Sequence, residues 1–150
     1  MQQIAIMFLA LLAAALAMAA DSTNVTAIIK GKPVNFSSDV RTEVVQKSVA
    51  LLASCAYVNA KPKWGAAPTE PRSMADAQKQ SHLHLVFSSP HNVEVPIEKV
   101  TLRVYEMVIS LPLVTAGIWV RTDDGVMYFA MFDHSASEDL QKLLAKAQRP

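Results

Sequence analysis

Two histidines, His82 and His84, stand two positions apart in a run of alternating apolar residues. On a β-strand such side chains share one face, with Cβ atoms about 6.5–7 Å apart. A pair of imidazoles can ligate Zn²⁺ or Cu²⁺, and His91, Asp133 or His134 could supply a third ligand. His82 and His84 are therefore a candidate metal site. The alternative, which the strand pattern favours, is that both form the solvent-facing side of a half-buried strand.

A second candidate site lies in the hairpin around Asp124-Gly125, the clearest turn signal in the chain. With Asp124-Gly125 at the centre of the turn, Arg121 faces Tyr128 and Trp119 faces Ala130, so the Arg121 guanidinium can stack on the Tyr128 ring. If this face is exposed, we expect Trp119, Arg121 and Tyr128 to bind a protein partner or a small ring-shaped ligand. If a helix covers the face, these residues belong to the core, which is the interpretation that two amphipathic helices favour.

Cys55 is the only cysteine. It continues the apolar stripe of a predicted helix near the helix C-terminus, where the helix dipole disfavours a thiolate, so it is predicted to be a buried structural thiol. The carboxylates of Asp123, Asp124 and Asp139 are explained by turn and helix-start chemistry. The sequence contains no glycine-rich phosphate loop, zinc-protease helix or Gly-x-Ser-x-Gly elbow. These observations favour a non-enzymatic protein, and no motif names a reaction.

The elements that position these residues begin with a hairpin and a helix. Val25–Ile29 and Pro33–Phe36 predict two strands joined through Gly31, with the proline-containing strand at a sheet edge. The apolar spacing from Val44 to Cys55 predicts an amphipathic helix over residues 39–56. Residues 59–73 are rich in Pro and Ala and show neither helical nor strand periodicity of apolar residues, which predicts a long loop. Because long loops often carry function, Trp64 within this loop is a further binding candidate.

Strands dominate the rest of the chain. Alternation predicts strands near residues 82–87, 93–95, 100–111, 117–122 and 126–133, with a turn at residues 88–92. Ser135 to Glu138 matches a capping box and predicts a final helix. The order is an N-terminal hairpin and helix, an antiparallel β-meander of about four to five strands, and a C-terminal helix. Adjacent strands between helices predict the α+β class rather than a parallel sheet.

The first 20 residues have the pattern of a signal peptide. Residues 4–20 are an unbroken apolar run that ends at Asp21, and Ala17-Met18-Ala19 places small residues where a signal peptidase reads them. The run is slightly shorter than the roughly 20 apolar residues of a spanning helix. An uncleaved membrane anchor and a buried core helix are the alternatives. The segment lacks the flanking Lys or Arg residues that orient an anchor, and it lacks the polar stripe expected of a helix in a small domain. We expect an exported protein, periplasmic or secreted, without stable membrane insertion after cleavage.

Composition limits the remaining possibilities. Residues 21–150 are enough for one small domain. The chain carries 14 basic and 13 acidic residues, a formal charge of +1, which gives no electrostatic reason to expect a nucleic-acid partner. A single cysteine cannot form an internal disulfide, so apolar burial must hold the fold together. The sequence therefore predicts an exported, non-enzymatic module that binds a protein or small ligand, with metal binding at His82 and His84 as the alternative.

Overall fold

A computed structural model describes residues 23–61, 72–113 and 117–149. The predicted signal segment, Trp64 and most of the predicted 59–73 loop lie outside these ranges. The described strands are β1 (Asn24–Ile29), β2 (Lys32–Val34), β3 (Tyr57–Asn59), β4 (His82–Val95), β5 (Val100–Ser110), β6 (Ile118–Thr122) and β7 (Met127–Met131). The described helices are α1 (Ser38–Ala53), α2 (Met74–Gln78) and α3 (Glu138–Ala147), the last preceded by a 3-10 turn at His134–Ser137.

All seven strands form one open antiparallel sheet in the order β2-β1-β4-β5-β6-β7-β3. The predicted α+β class is confirmed, and the meander is the four strands β4 to β7. The sheet has more strands than the predicted meander because the N-terminal hairpin joins it through β1 and β4, and β3 is added beside β7. None of the described helices has both the length and the apolar character that crossing a membrane requires.

The N-terminal hairpin has a two-residue turn at Lys30-Gly31. Both residues have positive φ, 51° and 75°, as a type I′ turn requires. Glycine adopts this conformation without steric cost, whereas lysine rarely does. β2 is shorter than predicted, because its pairing with β1 ends at Val34. Pro33 lies in β2 at the edge of the sheet, as predicted.

The predicted turn at residues 88–92 is wrong. β4 runs through this segment without reversing, and its pairing with β5 shifts between Val86 and His91. Val86 pairs with Glu106 and His91 with Val104, so the four residues between Val86 and His91 lie opposite Tyr105 alone. The Ser, Pro and Asn residues that indicated a turn are accommodated by a bulge, in which extra residues on one strand face fewer on the other.

The predicted register of the β6–β7 hairpin is also wrong, by one residue. The loop has three residues, since Thr122 N donates to Val126 O at 3.0 Å and Gly125 N donates to Thr122 O at 3.0 Å. Trp119 consequently pairs with Phe129 rather than with Ala130, and Val120 pairs with Tyr128. A one-residue shift moves a side chain to the other face of a sheet, so Tyr128 does not share a face with Trp119.

The main core lies between one face of the sheet and the two longer helices. Val44, Leu51 and Leu52 of α1 and Leu140 of α3 pack there against strand residues that alternate inward. The inward strand residues include Leu83, Leu85, Phe87, Met107, Ile109, Ile118 and Val120. This surface is the helix-covered face, and the side chains between these residues form the opposite face.

Cys55 lies in the main core, and its side chain is fully buried. Burial raises the pKa of this thiol to about 12, because an apolar surrounding disfavours the charged thiolate. We expect the folded protein not to react with a thiol reagent such as DTNB at pH 8, since the thiolate is the nucleophile. The same assay in urea should release one equivalent. Rapid labelling of the folded chain would contradict the burial of Cys55.

His91 lies in the β4 bulge, where its ring stacks on Phe87 with centroids 5.5 Å apart. Burial lowers the pKa of His91, because the partly desolvated ring disfavours the charged form. The unfolded chain therefore binds this proton more readily than the folded chain, and stability should fall as pH drops below about 6.5. We expect the melting temperature of His91→Gln to decline less than that of the wild type between pH 7 and pH 5. Equal declines would remove His91 as the cause.

Candidate binding cleft on the sheet

The opposite face of the sheet carries the residues that the sequence singled out for chemistry. Strand alternation places His82 and His84 of β4 on this face, together with Glu106 of β5 and with Trp119 and Arg121 of β6. These positions lie on neighbouring strands, because β4, β5 and β6 are adjacent in the sheet. Long-range pairing, rather than proximity in sequence, brings them together.

The short helix α2 covers part of this face. Met74 and Ala77 pack against Val108 and Trp119, which makes a second, smaller apolar cluster. Trp119 is only 4% exposed. Trp119 therefore belongs to a small core, but the helix that covers it is the five-residue α2. The two longer amphipathic helices, which were expected to cover this face, pack on the other face of the sheet.

Local hydrogen bonds fix the start of α2. The Ser73 hydroxyl accepts from Asp76 N at 3.1 Å, and Lys79 Nζ lies 3.1 Å from Asp76 Oδ1. The hydrogen bond from Lys79, followed by that from Ser73, lowers the pKa of the Asp76 carboxyl. The Ser73 contact caps the first turn of α2, whereas Lys79 follows the last residue of the helix. Arg72 and Ser73 immediately precede α2.

A row of three charged or ionisable side chains crosses the same face. Glu106 Oε1 lies 2.7 Å from His84 Nε2, and Glu106 Oε2 lies 3.1 Å from Arg121 Nη2. The Glu106 side chain is 13% exposed, against 44% for Arg121. Sequence reasoning named His84 and Arg121 and missed Glu106. One feature of the sequence could have identified Glu106: it is an isolated acidic residue in β5, whose other residues are apolar, hydroxyl-bearing or basic.

A cleft of about 430 Å³ opens between α2 and strands β6 and β7. Arg72 and Arg121 are the charged residues that line it within the described ranges, and Trp119, Met74 and Met127 supply apolar surface. The remaining lining residues are Ala60, Ser73, Ala75 and Gln78. An apolar wall combined with a few polar groups is typical of small-ligand sites. Two guanidinium groups make this one suited to an anion.

The two candidate metal ligands differ in their surroundings. His82 is buried, and its Nδ1 lies 2.8 Å from Gln80 O, so the ring N–H donates to that carbonyl. The ring centroids of His82 and His84 are 6.4 Å apart. A tetrahedral ion bonded at about 2.0–2.1 Å to one nitrogen of each ring would bring the centroids to about 5 Å. Residues 23–61, 72–113 and 117–149 contain no group of three His, Cys, Asp or Glu placed to hold a metal.

Of the four residues predicted to bind a partner, two lie together in this cleft. Trp119 and Arg121 line it, whereas Tyr128 packs against the main core on the helix-covered face, and Trp64 is outside the described residues. Arg72, Ser73 and Met74 were missed, because only the docking of α2 places them beside β6. Comparisons of the chain with protein-family models, with curated proteins and with solved structures found no match.

Proposed function

We propose that the chain is an exported, non-enzymatic binding domain whose cleft beside Trp119 takes a small organic anion with an apolar body. The observation that carries the proposal is the convergence of Arg72 and Arg121 on a cleft whose walls include Trp119 and Met127. A carboxylate suits two guanidinium groups, since each presents N–H donors in a planar fork.

Glu106 holds the side chain of Arg121 in an orientation suited to anion binding. The contact of Glu106 with Arg121 Nη2 orients the guanidinium group. It uses a donor of one nitrogen, whereas the group carries five N–H donors in all. Because Arg121 is anchored before the ligand arrives, binding costs less side-chain entropy than it would with a freely rotating arginine. Met127, which is half-buried, and the accessible edges of Trp119 and Met74 provide the apolar surface against which a ring or short chain can pack.

Benzoate and its uncharged counterpart benzamide provide a direct test. The chain has two tryptophans, so in a Trp64→Phe background the fluorescence of Trp119 alone reports on the cleft. We expect benzoate to change this fluorescence in a saturable way and benzamide to bind at least tenfold more weakly, since charge-assisted hydrogen bonds are worth about 1.5–3 kcal/mol.

Arg121→Gln should weaken benzoate binding at least tenfold. Arg103→Gln is the matched control, because Arg103 also lies on the sheet and also pairs with a carboxylate, Asp123, but does not line the cleft. Equal binding of benzoate and benzamide, or equal effects of the two arginine substitutions, would remove the proposal.

Export is the second part of the proposal, and its support is the apolar run of residues 4–20 followed by Asp21. Intact-mass analysis of the mature product should place the N-terminus at Ala20 or Asp21, since cleavage is expected after Ala19 or Ala20. A native product that begins at Met1 would refute cleavage and leave the anchor as the better interpretation.

Metal binding at His82 and His84 is a second candidate function. Its support is the hydrogen bond from His82 Nδ1 to the Gln80 carbonyl, the kind of contact that orients a metal-ligating imidazole. Elemental analysis for Zn and Cu, on protein purified without a histidine tag, should find metal that the double variant His82→Ala, His84→Ala loses and His134→Ala retains. An unchanged metal content in the double variant would eliminate this candidate.

A further inference from the structure

A second cavity, of about 250 Å³, lies at one end of the sheet under helix α3. The end of β1 and the segment after β5 form one wall, and α3 forms the other. Most of the lining side chains are apolar: Ile29, Leu111, Pro112, Leu113, Leu144 and Ala145. This cavity is separate from the cleft beside Trp119, because α3 packs on the helix-covered face of the sheet.

The polar part of the cavity lining includes Lys30 and Ser81, which are hydrogen-bonded to each other. Lys30 is the only charged residue among the lining residues that the structure describes. Gln141 and Gln148 also line the cavity, but their side-chain amides donate to nearby residues of the same helical segment, to Ser137 Oγ at 2.8 Å and to Leu144 O at 3.2 Å. The Lys30 ammonium forms no ion pair within the part of the chain that the structure describes.

The position of Lys30 in its turn is a second observation. It has a φ of 51° at the first central position of a type I′ turn, where Asn, Asp or Gly is strongly preferred. Turn chemistry therefore does not account for a lysine here. Its backbone is fixed, since Lys30 N donates to Ser81 Oγ at 2.9 Å, and the turn holds the lysine beside the apolar cavity.

We propose that this cavity is a binding site for a saturated monocarboxylate of about eight carbons in all, whose carboxylate contacts Lys30. The apolar walls match an unbranched hydrocarbon tail, and the single ammonium matches one carboxylate. The volume is below the roughly 300–1,000 Å³ of drug-sized sites, which favours a medium-length chain over a long one.

Calorimetric titration of the full domain with octanoate, below its micelle concentration, tests this site. Affinity should rise about fourfold per methylene from hexanoate to octanoate and level off at dodecanoate, whose tail exceeds the cavity. The melting temperature should rise with octanoate concentration, because the ligand binds the folded state. 1-Octanol should bind at least tenfold more weakly than octanoate.

Two variants separate the carboxylate contact from the tail contact. Lys30→Asn removes the ammonium and suits the turn, so the fold should be retained while octanoate affinity falls at least tenfold and octanol affinity stays unchanged. Ala145→Phe, at an exposed position on the cavity wall, should block octanoate and octanol alike. The titrations use an Arg121→Gln background, which weakens the cleft beside Trp119, and Lys32→Gln is the control that should change neither affinity. Undetectable octanoate binding in that background, or full affinity in Lys30→Asn or in Ala145→Phe, would overturn the proposal.

Discussion

Leu85→Ala is expected to lower the free energy of unfolding by about 3 kcal/mol, within the range of about 2–5 kcal/mol measured for buried leucines. Leu85 is fully buried in β4, between Val25 of β1 and Met107 of β5. Its removal leaves a void below the helices, where the backbone of an interior strand cannot collapse to fill it. Urea denaturation should show a lower midpoint with an unchanged m-value.

Ile28→Ala is the matched control for this prediction. Ile28 is also an apolar residue of an interior strand, but it lies on the opposite face of the sheet and is 38% exposed. Its truncation removes less buried surface and leaves no enclosed void, so we expect a loss of about 1 kcal/mol or less. Similar losses for Leu85→Ala and Ile28→Ala would contradict the assignment of the two faces.

Glu106→Ala is expected to lower the free energy of unfolding by about 2 kcal/mol. The carboxylate is largely buried and contacts both His84 and Arg121, at 2.7 and 3.1 Å. Hydrogen bonds to charged groups are worth about 1.5–3 kcal/mol. The Arg121 contact adds little, because the arginine side chain is 44% exposed and solvent screens the pair. The urea midpoint is again the measurement.

The same variant should weaken benzoate binding, because Arg121 loses the contact that orients it. Glu94→Ala is the control, since Glu94 is an exposed glutamate of β4, and we expect it to change the unfolding free energy by less than about 0.5 kcal/mol. If Glu106→Ala loses stability but keeps full benzoate affinity, Glu106 has a structural role alone.

The class of fold was predictable because it depends on strong local signals. The alternation of Leu83, Leu85 and Phe87 marks one buried face of β4, and the stripe of Leu140, Leu143 and Leu144 marks the buried side of α3. Burial of both patterns in a single core requires sheet and helices to pack together. These signals need no knowledge of which strands are neighbours.

Register was harder to predict, because it depends on single residues of the turn. Asp123-Asp124-Gly125 permits either a two-residue or a three-residue loop, and the structure has the latter, with Gly125 at a φ of 83°. That difference replaces Ala130 with Phe129 opposite Trp119 and separates Tyr128 from Arg121. A prediction that side chains cluster on one face of a hairpin is therefore only as reliable as the prediction of the length of its loop.

The cleft was partly predictable for a different reason. Trp119 and Arg121 attract attention as an aromatic and a cation two positions apart on one strand. Glu106 becomes relevant only when β5 pairs beside β6, and Arg72 only when α2 docks. Tertiary contacts of this kind leave no pattern in a single sequence.

The two edges of the sheet are short. β2 has three residues and contains Pro33, which has no N–H to offer, and β3 also has three residues. The longest strands, β4 and β5, are hydrogen-bonded on both sides by their neighbours. Unpaired edge strands can pair with strands of another molecule and so start aggregation. Because both edge strands of this sheet are short, the native protein offers few backbone groups for such pairing. The short edge strands should therefore keep the tendency of the folded domain to aggregate low at high concentration, although no disulfide holds the fold together.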